Sequence, residues 1–119
     1  MSYGFCGNMN KAGKQGTNHV MPVRFKGLNL DDVSEIKFLF KQNETTWIVK
    51  YPSNNAERRA DSDNIVDILW SEKDTWRFKE NNDILMDTKV FLTDSWENPK
   101  TPIVKIRLSP TLFVKGGGA

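Results

Sequence analysis

Two short groups of carboxylates are the first candidates for chemistry in this sequence. Asp31 is followed directly by Asp32, and Asp61 lies two positions before Asp63. A catalytic carboxylate needs a desolvated pocket that shifts its pKa. Both groups lie in polar stretches typical of turns, where Asp side chains usually hydrogen-bond to nearby backbone groups. We therefore expect these carboxylates to cap turns and predict no acid–base site.

A thiol and an imidazole are the second candidates, because Cys6 and His19 are the only cysteine and histidine of the chain. A cysteine nucleophile and its base need only be neighbours in space. The glycines and polar residues around Cys6 indicate an irregular segment that offers no oxyanion site, so we expect no nucleophilic site. One cysteine and one histidine cannot supply a zinc site, and a single cysteine excludes an internal disulfide.

Two further motifs resemble ligand-binding loops only in part. "GKQGT", at 13–17, lacks the spacing and the strand–helix context of a phosphate-binding loop. "DSDN", at 61–64, begins like a calcium loop but lacks the later glycine and bidentate glutamate. The sequence therefore predicts no enzyme, cofactor, metal ion or small-molecule substrate.

Composition indicates one globular domain. The chain has 119 residues, of which 38% are hydrophobic and 27% charged, with a net charge of +2. Its apolar runs are far shorter than the roughly 20 residues of a membrane-spanning helix, and its first residues lack the apolar stretch of a signal peptide. We expect a protein that is made in a reducing compartment and has no membrane partner.

Alternating hydrophobic residues predict the elements that hold these side chains. Strands are predicted over 19–26, 34–42, 47–51, 65–70, 85–93 and 103–108, with a last extended piece at 111–114. Ser71 and Asp74 have capping-box spacing, which predicts one or two helical turns. The pattern is typical of an all-β fold, an antiparallel β-sandwich of six to eight strands with one short helical turn, or alternatively a small β-barrel.

Domain boundaries follow from the glycines and the charges. We predict a flexible, basic, glycine-rich arm at 1–14, one sandwich domain at 15–114 and a flexible tail at 115–119. The strand at 19–26 contains Pro22, which predicts an edge position. The polar loop at 53–64 is a candidate contact loop, or else a solvated connection.

Contact residues are predicted on the arm, on the first strand and in one turn. The first thirty residues carry four positive charges and no negative one, so the arm could bind an acidic partner subunit or nucleic acid, or stay solvated. Trp47, Trp70 and Trp76 are predicted core residues, whereas Trp96 lies in a polar turn and is a candidate contact. The candidate partner-binding residues are Lys11, Lys14, Gln15, Met21, Arg24, Lys26 and Trp96.

Several segments resemble a family of small structural proteins of phages and prophages. They are "QGTN" ahead of a strand, "DDVSEIKFLFKQNETT", "DILWSEKDTWRF" and "MDTKVFLTDSWENPKTPIVKIRLSPTL". Gln15, Gly16 and Thr17 match the family's opening motif, 36–42 its next strand and 71–78 its third motif. The resemblance covers about 14–114. It departs at "SWENPK", where the family has a short Asp-Gly turn, in the longer loop at 53–64 and in the additional arm.

The resemblance implies a non-enzymatic virion subunit of the baseplate, tail or head-decoration type. Such a protein would be made in the bacterial host cytoplasm, would form a homo-oligomer and would bind other virion proteins. A nucleic-acid-binding small β-barrel that uses the basic arm is the alternative hypothesis.

Overall fold

The chain folds into nine β-strands and one short α-helix over the residues that the structure, a computed structural model, describes: 5–6 and 11–112, with side chains from Gly13 to Leu112. The elements are β1 (Phe5–Cys6), β2 (Lys11–Lys14), β3 (His19–Phe25), β4 (Val33–Gln42), β5 (Thr45–Tyr51), β6 (Ala56–Arg58), β7 (Ile65–Trp70), α1 (Glu72–Thr75), β8 (Ile84–Leu92) and β9 (Val104–Ser109).

Two sheets, of which one curls like half a barrel, enclose a hydrophobic core, so the predicted all-β class with a short helical turn is confirmed. A four-stranded sheet has the order β1-β3-β7-β6, and a five-stranded sheet has the order β2-β9-β8-β4-β5. All strand pairs are antiparallel except β2 with β9, which is parallel. The structure therefore departs from a fully antiparallel sandwich at one edge.

Trp70 lies at the centre of an aromatic cluster between the sheets. Its ring packs edge-on against Trp47 and Phe40, with centroids 4.7 and 5.1 Å away, and stacks on His19 at 5.6 Å. The alternation of β4 supplies the facing layer, since Phe38 and Phe40 are fully buried. Trp47 and Trp70 are thus core residues, as predicted, whereas Trp76 is half-buried.

Two hairpins form between consecutive strands, and the predicted helical turn is present. β4 pairs with β5 from Ile36–Tyr51 to Gln42–Thr45, and β8 pairs with β9 over three residues. In α1, the Ser71 hydroxyl accepts from the Asp74 N–H at 3.2 Å, and the Asp74 carboxylate accepts from the Ser71 N–H at 3.0 Å. The capping box therefore forms with Asp in place of Glu, since the shorter side chain still reaches the cap residue.

β3 is not the edge strand that Pro22 predicted, because β3 lies between β1 and β7. The Phe25 N–H donates toward the β7 side, to the Asn64 carbonyl at 2.8 Å. Backbone groups alternate in direction along a strand, so the position of Pro22 faces the β1 side. β1 pairs only with Arg24 and Phe25. Among the described residues no strand pairs with Pro22 on that side, so its missing N–H breaks no described ladder hydrogen bond.

Two segments predicted to be irregular contain strands. The predicted flexible arm supplies β1 and β2, and the long polar loop contains β6, which pairs with β7. Strand pairing uses backbone groups, so a segment without apolar alternation can join a sheet edge. Residues 1–4 and 7–10 of the predicted arm, the end of the predicted piece at 111–114 and the predicted tail lie outside the described residues.

The opening motif fastens the N-terminal segment to α1 and to the residues that follow it. The Gln15 side chain donates to the Phe78 carbonyl at 2.8 Å, and the Gly16 N–H donates to the Thr75 hydroxyl at 2.7 Å. The Asn18 side chain accepts from the Glu72 N–H at 2.6 Å. We call this set of hydrogen bonds the clasp. Two of the motifs that carry the family resemblance thus contact each other.

Candidate interaction surface

Two of the predicted contact residues are buried. Met21 is 2% exposed and lies in the core, because it alternates inward with Val23 and Phe25 on β3. Gln15 is 6% exposed, and its side chain belongs to the clasp. Neither side chain reaches a partner surface, so both are corrections to the predicted contact set.

The other basic candidates are dispersed over different elements. Lys14 is exposed at the end of β2 in the five-stranded sheet, whereas Arg24 is exposed on β3 in the four-stranded sheet and Lys26 follows it. Lys11 lies in β2, but its side chain is outside the described residues. Lys14 and Arg24 therefore belong to different sheets and form no common strand face.

Arg24 borders an open groove of about 790 Å³ that the loop at 60–64 completes. Arg58 in this groove donates to Asp31 at 2.7 Å, a hydrogen bond that raises the pKa of Arg58. Arg59 donates to both carboxylate oxygens of Asp67, at 2.8 and 3.2 Å. Two of the three arginines are thus held by internal carboxylates, which fix the loop to the sheet.

A row of three lysines crosses the five-stranded sheet on its solvent side. Lys37 on β4 lies directly opposite Lys50 on β5 and Lys89 on β8. Side chains directly opposite each other are separated by about 5 Å at Cβ, and like charges in such pairs are destabilising. A row of equal charges is therefore maintained at some cost in stability. We define the outer face as the solvent-directed side chains of β4, β5, β8 and β9, together with Ile103 just before β9.

An aliphatic stripe runs beside the lysine row on the outer face. Ile48 lies directly opposite Leu39, and Leu85 and Ile103 continue the line diagonally over β8 and the residue before β9. Ile48, Leu85 and Ile103 are 52%, 39% and 62% exposed. Diagonal neighbours lie about 7–8 Å apart, which is within reach of long side chains. Three of these four side chains are exposed and Leu39 is half-buried, and Asp87 lies directly opposite Leu39 on β8, beside the diagonal line.

The charges that border the stripe are mainly positive. Lys41 on β4 and Lys105 on β9 lie directly opposite Leu85, one on each side of it. These two lysines lie on the side of the stripe away from Lys37, Lys50 and Lys89. The carboxylates on the outer face are Glu35, which lies 3.8 Å from the Lys37 ammonium, and Asp87. At the sheet end, Arg107 pairs with Asp83 at 2.7 Å and lowers the pKa of that carboxyl. The outer face thus has an excess of positive charge around an apolar strip.

Phe91 contributes to this charge distribution at the end of the sheet. The ammonium groups of Lys37 and Lys89 lie 5.4 and 5.6 Å from the centre of its ring. A ring face attracts cations at this range. Phe91 therefore holds two lysines of the row in place, which leaves its ring partly covered.

His19 is a half-buried titratable group on the inner side of β3. Its ring lies between Trp70 and Gly13, and both ring nitrogens are buried. Burial lowers the pKa of His19 below its ordinary value of 6.5.

Among the described residues, no group of three or more His, Cys, Asp and Glu side chains is placed to hold a metal ion. In the same part of the chain, no helix is long and apolar enough to cross a membrane.

The stability of the protein is expected to decrease as the pH falls from about 7.5 to about 5.5. The folded state binds a proton on His19 less readily than the unfolded state does, so unfolding takes up protons in this range. The stabilising contribution is complete above the unfolded pKa of 6.5 and is lost as the pH falls through the lower folded pKa. Thermal unfolding at several pH values measures the effect. His19→Gln is expected to make the melting temperature depend less on pH between those values. An unchanged pH dependence of the melting temperature in that variant would contradict the prediction.

The outer face was not predicted from the sequence. Its lysines could be seen there only as polar residues that alternate with core residues along the strands. Lys37 and Lys41 alternate with the apolar residues of β4, but which lysines lie opposite each other depends on the register between strands. The sequence gives no direct measure of that register. Trp96 was predicted as a contact, and it is 98% exposed in the loop between β8 and β9.

The chain matches no protein-family model and no curated protein sequence.

Proposed function

We propose that the protein is a non-enzymatic structural subunit of a phage or prophage particle and that it acts by protein–protein assembly through the outer face. The observation that carries the proposal is the aliphatic stripe, in which Ile48, Leu85 and Ile103 are exposed and Leu39 is half-buried. Contiguous exposed apolar patches with polar borders are typical of protein interaction sites. The assignment to a phage or prophage particle rests on the sequence motifs at 15–17, 36–42 and 71–78.

The side-chain chemistry of the outer face favours a protein over a nucleic acid as its partner. Single-stranded nucleic acids bind basic grooves in which aromatic rings stack on successive bases. The strip on this sheet is aliphatic, and the aromatic ring of Phe91 is engaged by two lysines. Aliphatic side chains surrounded by charged residues instead resemble the apolar centre and polar rim of a protein interface.

Incorporation into particles tests the proposal. Particles are purified from a bacterial host that carries the gene, and the protein is quantified by mass spectrometry relative to the major capsid protein. The double variant Ile48→Asn and Ile103→Asn is expected to lower incorporation about tenfold or more, which corresponds to about 1.4 kcal/mol of lost contact energy. Val20→Asn is a matched control, because Val20 is 51% exposed on a strand of the other sheet.

Two outcomes would overturn the proposal. The first is absence of the wild-type protein from purified particles. The second is equal incorporation of the wild type and the double variant, with both proteins folded as judged by circular dichroism. A loss of incorporation in Val20→Asn alone would assign assembly to the opposite sheet.

A further inference from the structure

The loop between β8 and β9 presents one large apolar side chain to solvent between two acidic residues. Trp96 is 98% exposed, and Asp94 and Glu97 lie close to it in the sequence. Trp is rarely left uncovered on a protein surface and is enriched at the centres of protein interfaces. An exposed indole flanked by carboxylates therefore has the composition of a contact residue with acidic neighbours.

Side-chain and backbone hydrogen bonds anchor this loop on both sides of Trp96. The Asn98 amide donates to the Val90 carbonyl and the Thr101 hydroxyl donates to the Thr88 carbonyl, both at 2.6 Å. Before the tip, the Thr93 N–H donates to the Asp32 carbonyl at 2.9 Å. A loop that is held in place before binding loses less conformational entropy when it binds.

The outer face has the complementary chemistry. Its aliphatic stripe can cover an indole, and Lys37, Lys50 and Lys41 lie on strand positions beside Ile48 and Leu39. Within one chain the two features do not meet, because Trp96 is almost fully exposed. A second copy that presented the same outer face would bring one lysine row against another, which is electrostatically unfavourable.

We propose that the Trp96 loop of one copy docks on the outer face of another copy, with Trp96 against the aliphatic stripe and Asp94 and Glu97 beside the lysines. This inference rests on the proposed function and names the partner as a second copy of this chain. The two contacting surfaces differ, so the contact is heterologous and generates either a closed ring or an open filament. Charge pairing across the contact makes the association weaker at high salt.

Two complementary variants test the contact. Trp96→Ala removes the docking side chain and keeps the outer face, whereas the double variant Lys37→Glu and Lys50→Glu changes the outer face and keeps the loop. Sedimentation velocity of the wild type is expected to show concentration-dependent oligomers that dissociate as salt is raised. Each variant alone is expected to be monomeric. An equimolar mixture of the two is expected to form a dimer that does not extend, because only one pair of intact surfaces remains.

Three results would overturn the inference. The first is a wild type that stays monomeric up to about 1 mM, the concentration at which even a binding free energy of about −4 kcal/mol would be detected. The second is a Trp96→Ala variant that oligomerises like the wild type. The third is an equimolar mixture of the two variants that stays monomeric. Val20→Asn, folded and oligomeric like the wild type, is the control for surface substitution. If Trp96→Ala enters particles normally while the Ile48→Asn and Ile103→Asn variant does not, the loop contact fails and the proposed function stands. If neither variant affects incorporation, both fail.

Discussion

Trp70→Ala is expected to lower the free energy of unfolding by about 3–5 kcal/mol, the usual cost of truncating a large buried aromatic side chain to alanine. Trp70 is 2% exposed and contacts the rings of Phe40 and Trp47 on the facing sheet and of Phe78 after α1. Truncation leaves a cavity that these rigid rings cannot fill by small movements. Because domains of this size are stable by only about 5–15 kcal/mol, the variant should be marginally folded.

The chain offers a matched control for this substitution in Trp96→Ala, since Trp96 is 98% exposed. Urea denaturation followed by far-ultraviolet circular dichroism, at a concentration where the wild type is monomeric, compares the two variants. The midpoint of Trp96→Ala is expected to stay within error of the wild type. Similar losses in both variants would mean that Trp70 is not the centre of the core.

Gly13→Ala is expected to lower the free energy of unfolding by about 2–6 kcal/mol, because two effects add at this position. Gly13 has a φ of +118°, where an L residue is strained by about 1–3 kcal/mol. A Cβ atom there would lie 2.5 Å from three atoms of the His19 ring, so the ring must move against Trp70. Overpacking of this kind typically costs about 1–3 kcal/mol.

A double-mutant cycle separates the strain from the collision. His19→Ala removes the ring, so Gly13→Ala should cost less in the His19→Ala background than in the wild type. The residual cost then reports the backbone conformation alone. An equal cost in both backgrounds, measured by chemical denaturation, would show that the ring does not limit this position.

Strand alternation was sufficient to predict the central strands but not their neighbours. Ile36, Phe38 and Phe40 alternate with polar residues, and only one face of β4 could face the core, so that strand and its hairpin with β5 followed directly. The position of β3 could not be derived in the same way. Its neighbour β1 is two residues long and joins through backbone groups that leave no mark on side-chain pattern.

The candidate site was predictable only at its most conspicuous residue. Trp96 stood out because an indole in a polar turn has no local core to join. The lysine row did not, because Lys37, Lys50 and Lys89 are individually ordinary solvent-side residues and become a surface only when the register sets them opposite one another. Met21 and Gln15 were misjudged because proximity to a basic arm was given more weight than their inward alternation and hydrogen-bonding capacity.

The clasp explains what the opening motif does in this protein. Gln15 and Asn18 supply side-chain partners for backbone groups at Phe78 and Glu72, and Gly16 has a φ of +78° that suits glycine. A Cβ at Gly16 would also lie 3.2 Å from the Trp76 ring. The motif therefore has an architectural role in this fold, since its side chains and backbone bind α1 and the residues that follow it.

The parallel pairing of β2 with β9 has a consequence for how the protein is made. Lys14 pairs with Ser109, so β2 lacks its partner among the described strands until the segment around Ser109 has left the ribosome. The clasp closes earlier, when the segment around Phe78 has emerged, and it spans 63 positions of sequence. Contacts of such long separation form late and slowly. During synthesis, the first strands therefore remain available to chaperones or to a neighbouring nascent chain until the segment of β9 has emerged and completes the sheet edge.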